Sequence, residues 1–432
     1  MRSELMLFDP APLDGCIEKQ SFVDYRPVAA ISEHSPIEFF IPASDSEYVD
    51  LRATSLSMTV QLADVGKATG FVTTEMLIGP ANLLIASAFQ DAQLWLNGSL
   101  VEGGSFLYPY KAYLCTLLEH GSNTHKQVLR SWGFYKENDD LKVSSSNEGF
   151  VSRSARLAQN GKWSVRGPLF LDMMRQSRFL MPNVDMRLVL HPSPAKWLLM
   201  QAAGDEKTLP AAPRMKILSA QLTLRRVLPA ESVRNGHALG LRADRLALYP
   251  LRMVTPITYT IPSGVQSHVS ENLFHSVVPS LLVFGFVKNS AFNGSLTENP
   301  LKFMNPKLSF LGVYVDGQSV PGQPMQFPDG KLGDEEYSLL LQQLGIGWGG
   351  VHEIGFDAEL YPTGYSLFAF SLSAALGGNG TAQVPRTGSV RVEVRLSAAQ
   401  SSVMNVLAFG IFDRQLSISG NGKVTAADFH AL

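Results

Sequence analysis

The chain has 432 residues, of which 17% are charged and 45% hydrophobic, with 36 Lys plus Arg set against 38 Asp plus Glu. A net charge of −2 leaves no basic excess to neutralise a phosphate backbone, which excludes coating of nucleic acid by simple charge. The apolar content excludes wholesale disorder, and the length suits two large all-β domains or two to three average ones.

Residues 1–35 precede the first strand signal taken here and read as an N-terminal arm. Leu5, Leu7, Phe8, Phe22, Val23 and Tyr25 are apolar, while Pro10, Pro12 and Pro27 oppose a regular helix or central strand. The Leu5–Phe8 run is too short for a signal peptide. A first β-domain is expected over 36–228. Within it Ile37–Pro42 reads as a strand, and Leu56, Met58, Val60 and Leu62 alternate with Ser57, Thr59 and Gln61, the pattern of a strand with one buried face. Leu94-Trp95-Leu96 runs into Asn97-Gly98, a hairpin-turn signal. Residues 110–120 set Tyr113, Leu114, Leu117 and Leu118 at helical spacing, with Gly121 as the stop. A polar insertion follows over 120–165, then period two returns at Val184–Leu190 and at Leu218–Leu224.

Residues 229–248 read as a linker with a short helix that starts at Pro229 and carries Glu231 in its first turn. A second β-domain is expected over 249–418. It holds Ile257–Pro262, a second hairpin at Val313–Gly317, and a helix capped by Asp334 with Tyr337, Leu340, Leu341 and Leu344 on one face. An insertion spans 321–362, and alternation resumes at Val390–Leu396. Segments 281–287 and 404–412 are apolar on both faces, as strands between two layers are. Residues 419–432 form a C-terminal tail. No apolar run approaches the roughly 20 residues of a membrane span.

Five segments recur in the same order at nearly constant separation. Ile37–Pro42 matches Ile257–Pro262. Leu94–Gly98 matches Val313–Gly317, Tyr113, Leu117 and Gly121 match Tyr337, Leu341 and Gly345, Val184–Leu190 matches Val390–Leu396, and Met215–Val227 matches Met404–Leu416. Any one match between alternating strands is weak; the ordered set indicates tandem duplication of one β-domain. About eight strands in two sheets, with one short helix after the first hairpin, describe a jelly roll. The fold class expected is therefore all-β: a tandem (double) jelly roll, two eight-stranded β-sandwiches side by side with a few short helices in loops. The two insertions, at equivalent places, are expected at the same end of the two domains as an outward crown.

Catalytic chemistry does not assemble. Cys16 and Cys115 are too few for a disulfide framework or a four-ligand zinc site. His34, His120, His125, His191, His237, His268, His275, His352 and His430 are scattered, and His120 with His125 lies in a polar loop. Asp139-Asp140 and Asp334-Glu335-Glu336 adjoin turns or helix starts, where carboxylates favour the helix dipole or meet water. Gly420-Asn421-Gly422-Lys423 lacks the second half of a phosphate loop, since Val424 follows the lysine, and reads as a β-turn. Asn97-Gly-Ser99, Asn293-Gly-Ser295 and Asn379-Gly-Thr381 read as hairpin turns. No catalytic, cofactor-binding or metal-binding residues are expected, and the chain is not read as an enzyme.

A set of short motifs carries a family resemblance. They are Ser3-Glu-Leu5-Met-Leu7-Phe8, Tyr25-Arg-Pro27, Ser35-Pro36-Ile37-Glu38-Phe39, Tyr48-Val-Asp50-Leu51 and Trp95-Leu-Asn97-Gly98 with Tyr108–Leu114. Glu271-Asn-Leu273-Phe274, Asn289–Gly294, Leu311–Gly317 and Tyr361-Pro-Thr-Gly364-Tyr365 complete it. Together, from about residue 3 to about residue 424, the chain resembles the major capsid proteins of Polinton (Maverick) elements and adintoviruses. The resemblance implies a hexon-like double jelly roll, a homotrimer forming a pseudo-hexagonal capsomer of an icosahedral double-stranded DNA virus shell, and contacts between capsomers. It also implies a vertex (penton) protein and minor capsid proteins as partners, and residence in the virion after synthesis as a soluble protein in the host cell that is not secreted. No specific nucleic-acid site and no membrane span are expected. The alternative, from another class, is a tandem jelly-roll carbohydrate-binding or glycan-processing protein, with Trp95, Trp132, Trp163, Trp197 and Trp348 as candidate platforms.

Overall fold

The computed structural model describes residues 15–33, 35–63, 77–121, 124, 127–158, 161–202, 213–328, 330–346, 353–372 and 386–428. Among the described residues sixteen strands build the frame of four sheets, beside two short two-stranded sheets, Ile78–Pro80 with Leu199–Gln201 and Val277–Val278 with Arg386–Thr387. The first eight are β1 (Ile17–Tyr25), β2 (Ile37–Ile41), β3 (Tyr48–Ala63), β4 (Phe89–Leu96), β5 (Ser99–Glu102), β6 (Lys162–Gly167), β7 (Met186–Pro192) and β8 (Arg214–Pro229). They pair as β1-β8-β3-β6 and β2-β7-β4-β5. The next eight are β9 (Ala247–Ile261), β10 (Ser267–Ser270), β11 (Leu281–Lys288), β12 (Leu308–Val315), β13 (Gln318–Gln326), β14 (Leu367–Ser371), β15 (Val390–Leu396) and β16 (Met404–Ile418). They pair as β9-β16-β11-β14 and β10-β15-β12-β13. Each strand has its counterpart eight strands on, in the same place in the same sheet. The order 1-8-3-6 over 2-7-4-5 is the jelly roll, so the chain is a double jelly roll.

The hairpins β4–β5 and β12–β13 show why the copies agree. Asn97 and Gly98 sit at φ 45° and 73°, and Asp316 and Gly317 at 51° and 82°. Two successive left-handed residues make the turn whose twist matches the flanking strands, and Asn-Gly and Asp-Gly tolerate it best. Trp95 pairs with Arg187 and Tyr314 with Arg391, so the ladders beyond the turns share a register. That register equates Met186 with Val390, whereas sequence matching sets Val184 there. A slip of two residues leaves every side chain on its own face, which is why the pattern tolerates it.

Two boundaries expected from the sequence differ from the strand pairing. Residues 17–25 are not an arm. They form β1, which pairs antiparallel with β8 from Ile17 opposite Pro229 to Tyr25 opposite Leu222. The counterpart of Ile257–Ile261, the end of β9, therefore lies in β1, and the match to Ile37–Ile41 joins strands of different sheets. Residues 1–14 and His34 of the expected arm lie outside the described residues. The expected tail is not free either: Val424–Asp428 adds a strand, β17, to β16, with Arg414 opposite Asp428 and Ile418 opposite Val424. Gly420–Lys423 is the turn between them, closed by the Gly422 N–H on the Ser419 carbonyl at 2.9 Å.

Four helices of ten or more residues are present among the described residues: α1 (Tyr108–Glu119), α2 (Glu148–Ala158), α3 (Glu231–Arg242) and α4 (Asp334–Gln343). The linker helix α3 has no buried residue, yet His237 Nδ1 lies 2.8 Å from the Tyr48 hydroxyl and fastens it to the first sandwich. Asp334 is the first helical residue of α4, not its cap; Gly333 precedes it, and its N–H donates to the Glu336 carboxylate at 2.8 Å. Asn293-Gly294 ends a short helix and is not a hairpin turn.

Candidate functional site: the seam between the sandwiches

The sequence shows α1 as a helix with one apolar face, but ten consecutive residues, Tyr108 to Leu117, are buried. The helix lies in the seam between the two sandwiches and is covered on every side. Tyr110 stacks on Phe292 at 5.8 Å and Tyr113 on Phe303 at 6.3 Å, both partners coming from the second half of the chain. Phe303 in turn lies over β11, where a Cβ on Gly285 would sit 2.6 Å from its ring. The opposite face of β11 turns inward: Phe284 meets Phe368 and Phe370, and Phe368 meets Phe327 at the end of β13. This explains why residues 281–287 are apolar on both faces. One face fills the sandwich and the other fills the seam.

Burying α1 all round also buries Lys111, which is 5% exposed. Its ammonium needs partners, because an unpaired charge in such a place costs several kcal/mol. It finds Glu102 at 2.5 Å and Asp172 at 2.6 Å. Burial works against the Lys111 charge, but Asp172 and Glu102 outweigh it and hold its pKa above the ordinary value. Asp172 is pushed up to about 7, by burial first and then by the Glu102 carboxylate. The same Asp172 oxygen that meets Lys111 accepts the Val254 N–H of β9 at 2.9 Å, so the cluster joins the two sandwiches.

A second buried ion pair lies in the insertion between β5 and β6. Arg153 on α2 is 0% exposed and Glu137 is 1% exposed. The guanidinium donates to Glu137 and, through Nε, to the Pro80 carbonyl at 2.9 Å. The other Glu137 oxygen accepts the Asn299 side-chain N–H at 2.8 Å from the second half of the chain. Further bonds cross the seam: the Met181 N–H to the Tyr249 hydroxyl at 3.0 Å, the Gly355 N–H to the Leu117 carbonyl at 2.6 Å, and Lys302 to Asp140 at 2.6 Å. Lys136 meets Asp357 at 3.4 Å, so the two long insertions touch. The first is not a loose polar loop. Leu129, Phe134, Leu141, Phe150 and Leu157 are buried within it.

The residues weighed for chemistry stay apart. Among the described residues no group of three or more His, Cys, Asp or Glu side chains could hold a metal. His125, His352 and His430 lie outside the described residues, as does Asn379. Cys115 is buried beside the Arg175 guanidinium at 3.1 Å, and burial pushes its thiol up to about 11. Asp139 accepts from Ser144 and Ser146 in a tight turn. Trp163 and Trp197 are buried, Trp95 and Trp132 are half-buried, and Trp348 is outside the described residues, so no described tryptophan offers the exposed platform a glycan reading needs. Among the described residues no helix is long and apolar enough to cross a membrane. Sequence reasoning missed the seam's ionic joints. The signal was Lys111 itself, one cation inside an otherwise apolar helix.

No family model matches the chain. A Caenorhabditis elegans protein described only as uncharacterized protein F54H12.2 is 23% identical over 387 residues, covering 88% of this chain and 90% of that one. A chain of the Sputnik virophage structure is similar over 100% of this chain and 93% of that chain, at a TM-score of 0.66 and 11% identity. The mavirus major capsid protein is similar over 99% of this chain and 93% of that chain, at a TM-score of 0.53 and 10% identity. At such identities the likeness is one of fold, and it spans both sandwiches, the seam and the insertions together: this chain is a double jelly roll of the kind that virophage capsid chains have.

Proposed function

We infer that the chain is a hexon-like major capsid protein, and that three copies form a pseudo-hexagonal capsomer of an icosahedral double-stranded DNA virus shell. The observation that carries this reading is the pairing of two complete, topologically identical jelly rolls, locked by a buried seam, over nearly the full length of viral capsid chains. Two similar lobes per chain give six lobes per trimer, which tile as a hexagon does. A low charged fraction suits a protein whose surface is largely spent on contacts with copies of itself. Matching outer strands already expose apolar residues, Phe40 on β2 at 49% and Val269 on β10 at 43%.

The lineage proposed is that of Polinton (Maverick) elements and adintoviruses. The short motifs from residue 3 onward support it. On this reading the two joined insertions form the outward crown. The partners are other capsomers, a vertex (penton) protein and minor capsid proteins, and the mature location is the virion. Domain limits of 17–229 and 247–428, with α3 in the connection, fit the strand pairing.

Light scattering with negative-stain imaging of the purified chain tests the proposal. Trimers of hexagonal outline, alone or in closed shells, are expected, with interfaces above about 2,000 Å². Only monomer at micromolar concentration overturns it.

A further inference from the structure

Between α2, β6 and the turn at residues 129–132 lies a cavity of about 420 Å³ lined by Arg130, Ser131, Tyr135, Arg156, Lys162, Trp163 and Ser164. Three of these side chains are cations and none is acidic. Nearby carboxylates are already engaged: Glu137 with Arg153 and Asn299, Asp139 with Ser144 and Ser146, and Asp140 with Lys302. Glu148 opens α2, about 12 Å along the helix axis from Arg156. Three like charges around one space repel each other, and nothing on their own chain among the described residues relieves them by an ion pair.

The cations are held in place. Tyr135, 9% exposed, accepts the Arg156 Nε–H on its hydroxyl at 3.2 Å, and among the described residues neither terminal nitrogen of that guanidinium makes an ion pair. The Arg130 guanidinium lies over the same ring, 5.9 Å from its centroid. Tyr135 itself is braced edge-on by Trp163, with centroids 6.2 Å apart. A buried aromatic pair thus holds two arginines at the rim of one cavity, with Lys162 beside them; the Ser131 hydroxyl donates to the Val128 carbonyl at 2.7 Å and the Ser164 hydroxyl meets that of Thr59 at 2.9 Å.

We propose that this cavity binds a sulfate or phosphate monoester carried on a sugar-sized ring. Guanidinium forks match a tetrahedral oxyanion geometrically. The volume exceeds what a lone oxyanion fills and falls in the range of small-molecule sites. The chain's net charge of −2 supplies no overall positive field to hold a long polyanion.

The test is calorimetric titration of the purified full chain with glucosamine 6-sulfate, with a nucleoside 5′-monophosphate and with inorganic sulfate. Saturable binding of at least one ring monoester, about tenfold or more tighter than inorganic sulfate, is expected, and the first two arms distinguish the sources. Arg130→Gln combined with Arg156→Gln should abolish it without changing the melting temperature, since both side chains are exposed. Tyr135→Phe keeps all three charges and should weaken binding several-fold by releasing Arg156. The proposal fails if neither ring monoester binds below about 10 mM, if inorganic sulfate binds as tightly, or if the double Gln variant binds like wild type. It also fails if the double variant loses trimers or shells while wild type binds none of the probes, because the cations then face an acidic surface of a neighbouring copy.

Discussion

Replacing Glu137 by Gln removes one charge from a pair that water does not reach. Arg153 keeps its bond to the Pro80 carbonyl, but its cation is then buried without a counter-charge. Breaking a buried pair from one side costs about 3–5 kcal/mol. For a sandwich of this size that corresponds to a fall in melting temperature of about 6–20 °C. Arg153→Met should cost a similar amount, because it strands the Glu137 carboxylate. The double variant, Glu137→Leu with Arg153→Met, removes both charges together. It should cost far less than the two single changes summed, about 1–3 kcal/mol for the Asn299 side chain left without its acceptor. Thermal unfolding at fixed protein concentration, followed by near-ultraviolet circular dichroism, measures all four corners of the cycle. A Glu137→Gln protein that melts within about 2 °C of wild type, or a double variant whose loss equals the sum of the singles, would refute the buried pair as a structural joint.

The Asp172 cluster makes stability depend on pH in an unusual sense for a carboxylate. Its folded pKa is raised from 3.8 to about 7, so its contribution is complete below about pH 4 and is lost as pH rises through 7. Asp172→Asn should remove that loss while leaving an acceptor for the Val254 N–H. The difference in melting temperature between wild type and variant should therefore change between pH 4.5 and pH 8, by the equivalent of a few kcal/mol at most. A difference that stays flat across that range contradicts the shift. Deletion of residues 15–25 should prevent the first sandwich from folding, because it exposes the β8 ladder from Leu222 to Pro229; a well-folded trimer from that deletion would mean that β1 is a dispensable arm after all.

The sheets were legible because their signals are local. Alternation at Leu56–Leu62 and Val390–Leu396 and the two Asn-Gly and Asp-Gly turns need no knowledge of the rest of the chain. The β1 strand was not legible for the opposite reason. Its burial pattern has no fully buried position, since it is the edge of its sheet, and Phe22 at 64% exposed interrupts the alternation. An edge strand is defined by the partner that accepts its hydrogen bonds, here β8, nearly two hundred residues away. Pro27 lies just beyond the strand, so it bounds β1 and does not break it. The seam was hidden for a related reason: an all-round buried helix looks amphipathic when only its largest apolar residues are scored, and Lys111 then passes for its polar face.

The seam also explains why the duplication stayed recognisable in the sheets and vanished in the connections. Each sandwich must close the same two sheets on themselves, so β4–β5 and β12–β13 keep the same turn and the same register. The seam has no such symmetry. Helix α1, just before the first insertion, packs into it with ten buried residues, while α4, at the equivalent place in the second copy, buries only Leu340. A dimer of identical sandwiches would meet through one surface used twice, residue for residue. Here one copy supplies Tyr110, Tyr113, Glu137 and Asp172, and the other supplies Phe292, Phe303, Asn299 and Val254. The joint is therefore heterologous, with a head and a tail, and the two lobes present different outer surfaces to whatever lies beside them. In a ring of six lobes from three chains, contacts within a chain and contacts between chains need not resemble each other. The first kind is buried and ionic and is already made in the single chain. On the proposed trimer the second kind would rest on exposed side chains such as Phe40 and Val269, which can be weaker because each chain arrives with its own half of the contacts in place.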